Sequence, residues 1–134
     1  MKKAILTSTL MVLFSFILIS QENKGPVFTW EKPVHDFGKV YTDDLPETKL
    51  AIAFKNTGNA PLVLTNVRAC CGTRVTHWPK EPVMPGVSDT IRVEFHLMPR
   101  PHRISRVVTA SSNCSENGTS IFRMTGEVVQ REEQ

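Results

Sequence analysis

The chain has 134 residues, 16 of them basic and 13 acidic, for a formal net charge of +3. That length fits one domain of ordinary size. With charge so nearly balanced and no basic cluster interleaved with aromatics, nothing supports a nucleic-acid-binding surface.

Lys2 and Lys3 precede an uncharged, mostly apolar run from Ala4 to Ser20. A basic start, an apolar stretch and a small residue at the end make a signal-peptide layout. Residues 1–20 are read as a signal peptide that directs export to the periplasm or cell surface. The alternative is an uncleaved anchor, and only in that form would the chain meet a membrane. Residues 21–26 are a linker. Without Lys2 and Lys3 the remainder carries 14 basic and 13 acidic residues, a net of +1.

From Val27 onward apolar residues recur at every second position. In TKLAIAFKNTG, Leu50, Ile52 and Phe54 share one face and Ala51, Ala53 and Lys55 the other. In DTIRVEFHLM, Ile91, Val93, Phe95 and Leu97 alternate with Arg92, Glu94, His96 and Met98. Phe122, Met124 and Val128 repeat the pattern near the end. Alternation of this kind marks strands with one buried and one wet face. Seven strands are predicted, at 27–31, 34–40, 48–55, 61–69, 90–97, 104–111 and 119–129. No amphipathic helix is found between them. Asn56-Thr57-Gly58-Asn59 reads as a tight turn, because glycine and asparagine tolerate positive φ. The expected fold is a seven-stranded antiparallel immunoglobulin-like β-sandwich over residues 27–129, followed by a frayed tail at 130–134.

Several stretches carry a family resemblance when taken together: VHDFGKV (34–40), FKNTGNAPLVLTNVRA (54–69), WPKEPVMPG (78–86), IRVEF (91–95) and MTGEVV (124–129). In this order they resemble the bacterial family called domain of unknown function 1573. The resemblance implies an exported immunoglobulin-like module related to major sperm protein and pilus-chaperone domains, from a family not known for an enzymatic activity. The family usually reads S-C-G-C-T after the valine-arginine-alanine stretch. Here Cys71 matches the first family cysteine, Thr73 stands at the second, and Cys70 is extra.

The stretch VRACCGTRVTHWPKEP holds the chain's most suggestive chemistry. Cys70, Cys71 and His77 are candidate soft ligands for zinc or copper(I) and candidate redox groups. Against this, a C-C pair lacks the two-to-four-residue spacing of zinc sites, and adjacent strand side chains point to opposite faces. A Cys70–Cys71 disulfide would be strained, since consecutive α-carbons lie about 3.8 Å apart. Cys114 is expected at the opposite pole. In HLMPRPH, His96, Met98 and His102 read as solvent-facing residues at a strand end. The DFG triplet at 36–38 lacks the companion motifs of a kinase; Gly38 permits a bend and Phe37 packs inward. Trp30 and Trp78 are expected as core or rim packing residues. The resulting expectation is a non-catalytic module without cofactor. Its structural or partner-binding candidates are Trp30, Phe37, Gly38, Gly58, Cys71 and Trp78, and its partner an envelope protein or glycan. The competing reading is a thiol-based redox or metal-handling protein.

Overall fold

The computed structural model describes residues 25–133. The segment read as a signal peptide, the linker before Gly25 and Gln134 lie outside the described residues. The described strands are β1 (Phe28–Trp30), β2 (Val34–Tyr41), β3 (Lys49–Asn56), β4 (Leu64–Ala69), β5 (Thr73–His77), β6 (Ser88–Phe95), β7 (His102–Ser112) and β8 (Thr119–Val129). They form two four-stranded sheets, ordered β1-β3-β6-β5 and β2-β8-β7-β4.

The two-residue periodicity maps onto burial. Ile52 and Phe54 of β3, Ile91, Val93 and Phe95 of β6, and Phe122, Met124 and Val128 of β8 are buried between the sheets. Arg92, Arg123 and Glu127 on the opposite faces are exposed. Burying a large apolar side chain contributes about 1.5–3 kcal/mol, so this two-sided core is the main stabilising term.

Three features depart from the sequence reading. The described residues form eight strands rather than seven. The additional one, β5, offers a single apolar residue, Val75, paired opposite Val93 of β6, too short an alternation to stand out. The predicted strand 61–69 is divided: Leu62 pairs in an isolated bridge with Val83, both buried, and β4 starts at Leu64. Finally, β2 runs parallel to β8, whereas the other pairs are antiparallel. The chain enters the first sheet as β1 and then crosses to the second. Glu31 N–H still donates to Ala53 of β3 at 3.1 Å, but the Pro33 carbonyl already accepts from Arg123 of β8 at 3.0 Å. Periodicity reports which face is buried and is silent on strand direction.

Candidate functional site

Cys70 follows the last residue of β4, and Cys71 and Gly72 occupy the next two positions with φ of 60° and 71°. Thr73 N–H closes the turn by donating to the Cys70 carbonyl at 3.2 Å. Two successive positive φ values give the type I′ form, which favours asparagine and glycine. Cys71 therefore holds a conformation that its side chain disfavours. The expectation that the two sulfurs point to opposite faces of a strand is corrected here. The pair has left the strand, and the Cys71 thiol donates to the Cys70 sulfur at 2.8 Å. Both side chains are exposed, and neither is in a disulfide.

Arg106 of β7 fastens this turn from the other side. Its guanidinium donates to the Cys71 carbonyl, to the His96 carbonyl at 2.5 Å and, more weakly, to Thr73 Oγ1 at 3.4 Å. The Cys71 thiol is held above its ordinary pKa, first by the hydrogen bond to Cys70 and then by desolvation. Arg106 opposes that shift without reversing it.

The structure separates the other members of the thiol constellation. His77 ends β5, four residues beyond Thr73, which places it roughly 13 Å along the strand from the turn. Cys114 lies past the far end of β7: Ser112 pairs with Leu64 at the start of β4, whereas Val108 pairs with Ala69 beside Cys70. Among the described residues no group of three or more His, Cys, Asp or Glu is placed to hold a metal ion.

The remaining candidates occupy structural positions. Trp30 is half-buried, edge-on to Phe28 at 4.6 Å and tilted on Phe122 at 5.5 Å, with its buried Nε1 unpaired. Trp78 packs against the core, and Lys80 Nζ sits 3.0 Å from its ring centroid, covering one face. An open groove of about 510 Å³ adjoins it, lined in part by His77, Lys80, Glu81 and Asp89. Phe37 leans inward onto Phe95 at 5.5 Å. Gly38 does not bend the chain between the first two strands; it sits in a bulge within β2, at φ 64°, where Asp36 Oδ1 accepts its N–H at 2.9 Å. Gly58 is likewise reassigned. It lacks a positive φ, and a Cβ there would collide with the Gly25 carbonyl and come within 2.6 Å of Val27 N. Close approach of backbone, rather than turn geometry, requires glycine at 58.

The sequence reading missed an opening along β3. The β1 partner ends where Trp30 pairs with Phe54, and Glu31 adds one bond to Ala53. In an antiparallel ladder the amide groups alternate in direction, so those of Lys49 and Ala51 point the same way as that of Ala53. Among the described residues none pairs with them on that side. A depression of about 250 Å³ lies alongside, lined by Glu31, Lys32, His35, Leu50, Ala51 and Phe122 among others. The missed signal was the crossing itself: Lys32-Pro33 breaks the ladder between two predicted strands.

The sequence matches the family described as protein of unknown function (DUF1573) over residues 28–128. The chain belongs to the DUF1573 family. A comparison with curated proteins gave no match. Among solved structures the DUF1573 fold is similar to the secreted serine protease VesC from Vibrio cholerae, with a TM-score of 0.63 and 14% identity over 82% of this chain and 24% of that one. It is also similar to the ASH/PapD-like domain 7 of human CEP192, at TM-score 0.52 and 9% identity, covering 82% of this chain and 88% of that one. The periplasmic chaperone SfaE gives TM-score 0.50 and 9% identity over 79% of this chain and 59% of that one. The DUF1573 chain thus spans about a quarter of the VesC chain and somewhat over half of the SfaE chain. At such identities the likeness shows the immunoglobulin-like, PapD-like fold and nothing about activity.

In this DUF1573 domain the four outer strands are blunted. β1 has three residues, and β2, β4 and β5 each carry a register shift. Short strands and bulges are how sheets discourage unwanted pairing. The gap beside β3 lacks both protections.

Proposed function

We propose that this protein is an exported, non-catalytic binding module of the bacterial cell envelope, and that the open stretch of β3 receives an extended segment of a partner protein. The observation that carries the reading is the pair of outward-facing amides of Lys49 and Ala51, unpaired among the described residues, beside a depression lined by Leu50 and Phe122. An exposed regular edge accepts a strand by main-chain hydrogen bonds, and an adjoining hollow receives alternate side chains. The signal-peptide layout of residues 1–20 supports export. A protein partner fits better than a glycan, because Lys80 lies over the Trp78 face on which a sugar ring would stack.

A photo-crosslinking amino acid at Lys49, in cells producing the full chain, tests this. The expected result is one dominant adduct in the envelope fraction, lost when Ala51→Pro removes the edge-facing N–H. That N–H points away from β6, so the β3–β6 ladder survives and circular dichroism is unchanged. Equal adducts with and without Ala51→Pro would refute edge binding. A protein recovered only from the cytoplasm, with residues 1–20 intact, would refute export.

A further inference from the structure

The turn that follows β4 places two thiols where neither is used by strand-edge binding. From their contact on an exposed turn we infer that Cys70 and Cys71 form a thiol–disulfide exchange site, which closes to a reversible Cys70–Cys71 disulfide when it meets a low-molecular-weight disulfide, RS–SR. This does not depend on the β3 edge, because the turn belongs to another part of the fold.

Three observations carry it. The sulfurs face each other at 2.8 Å instead of diverging as strand neighbours do. The type I′ turn fixes that arrangement, with Thr73 N–H on the Cys70 carbonyl and Arg106 gripping the carbonyls of Cys71 and His96. Both cysteines are exposed, so a small disulfide can approach the turn without local unfolding. Cys114 stands at the other pole and cannot compete as the resolving thiol.

The hydrogen bond sets the order of events. Cys70 accepts from the Cys71 thiol, so the Cys70 sulfur is the one poised to act as nucleophile once its proton passes to solvent. Cys70 thiolate attacks one sulfur of RS–SR; a mixed disulfide Cys70–S–SR forms and RS⁻ leaves. Cys71 then loses its proton and attacks Cys70 Sγ, expelling the second RS⁻. Two thiols are oxidised by two electrons, one RS–SR is reduced, and the two protein protons end on two RSH. The bond joins consecutive residues whose α-carbons are only about 3.8 Å apart, so the ring is strained and readily reduced. Strain of that kind raises the reduction potential, as expected of a labile rather than a structural disulfide.

The test uses the folded full chain carrying Cys114→Ser, exposed to oxidised glutathione and then quenched with acid. Arg68 and Arg74 flank the pair, so trypsin releases Ala69–Arg74 with both cysteines in one peptide. The expected product is that peptide lighter by two hydrogen atoms, restored by dithiothreitol. Cys71→Ser should instead hold one stable glutathione on Cys70. A peptide that stays reduced, or that carries a glutathione on each cysteine, would overturn the proposal. So would disulfide-linked dimers as the main product. Thermal melts of each variant, unchanged from the parent, keep a folding defect from passing as a negative result.

Discussion

Asn56 and Val83, twenty-seven residues apart, are joined by a buried hydrogen bond in which Asn56 Nδ2 donates to the Val83 carbonyl at 2.9 Å. The same amide donates to the Ala60 carbonyl at 2.7 Å, and its Oδ1 accepts from Gly58 N–H at 3.0 Å and Val27 N–H at 3.3 Å. One fully buried side chain thereby ties the residue leading into β1, the end of β3, the following turn and the segment before β6. Unpairing a buried polar group costs about 1–3 kcal/mol. Asn56→Ala strands four partners and should destabilise by about 3 kcal/mol in urea unfolding, with the denaturant slope unchanged. Asn56→Asp keeps the acceptor but loses both donors and buries a charge, so it should be at least as damaging. A loss below about 1 kcal/mol in both variants would show that water replaces the network.

Gly58 and Gly86 flank this network and should respond differently to alanine. At Gly58 a Cβ meets the backbone of residues 25–27, which cannot turn aside as a side chain can. Gly58→Ala should cost on the order of 2–3 kcal/mol, the upper range of overpacking. Gly86 has φ 78° and open space around it. Gly86→Ala should cost only the left-handed penalty, about 1–2 kcal/mol. Calorimetric melts of the two variants decide between close approach and dihedral preference. Equal losses would remove the steric account of Gly58.

What was legible in the sequence follows from this difference. Strand positions and core faces in β3, β6 and β8 are written in the alternation of Leu50 to Phe54, Ile91 to Leu97 and Phe122 to Val128, because burial on one face demands it. The antiparallel pairing of β4 with β7 was also accessible, and with it the separation of Cys70 from Cys114. β5 was hidden, since Val75 is the one apolar residue among TRVTH. The parallel course of β2 was hidden because strand direction leaves no trace in periodicity. At the candidate site, residue identities were visible and their geometry was not. A strand reading of Cys70 and Cys71 sends the sulfurs apart, whereas Gly72 converts the same letters into a turn that brings them together. The C-C-G order was the signal, because positive φ at glycine often continues from its neighbour in a type I′ turn. The gap on β3 is an absence of pairing, and no residue of β3 announces it.

Across the β5–β6 ladder, Arg74 donates to Glu94 at 2.8 Å, and this hydrogen bond, more than any other influence, holds the Glu94 carboxyl below its ordinary range. A carboxylate with a depressed folded pKa adds stability that is present above its unfolded pKa. That stability disappears as pH falls through the folded value. Both side chains reach solvent, so the contribution is small and weakens with salt. Arg74→Ala should raise the Glu94 pKa toward the usual carboxylate range, followed by the Glu94 side-chain carbon shift in an NMR pH titration. The difference in stability between parent and variant should vanish in the acid limb and shrink at high ionic strength. An unmoved Glu94 titration would mean that the ion pair is not populated in solution.

The raised pKa of Cys71 makes a prediction about reactivity that is separate from disulfide exchange. Its thiol proton is engaged by Cys70, and a nearby thiolate at Cys70 would further disfavour a second negative charge. Only the thiolate attacks iodoacetamide, so alkylation of Cys71 should follow a pH profile displaced upward from that of a free cysteine. Cys70→Ala removes the acceptor and the neighbouring charge together, leaving Arg106, whose guanidinium favours the thiolate. The profile of Cys71 should then move to lower pH and its rate at neutral pH should rise. Arg106→Ala should do the opposite by removing that favourable charge. Fragment-ion mass spectrometry of peptide Ala69–Arg74 assigns the label to Cys71. If Cys70→Ala leaves the profile in place, the sulfur–sulfur hydrogen bond is not what governs Cys71, and the turn presents two independent thiols.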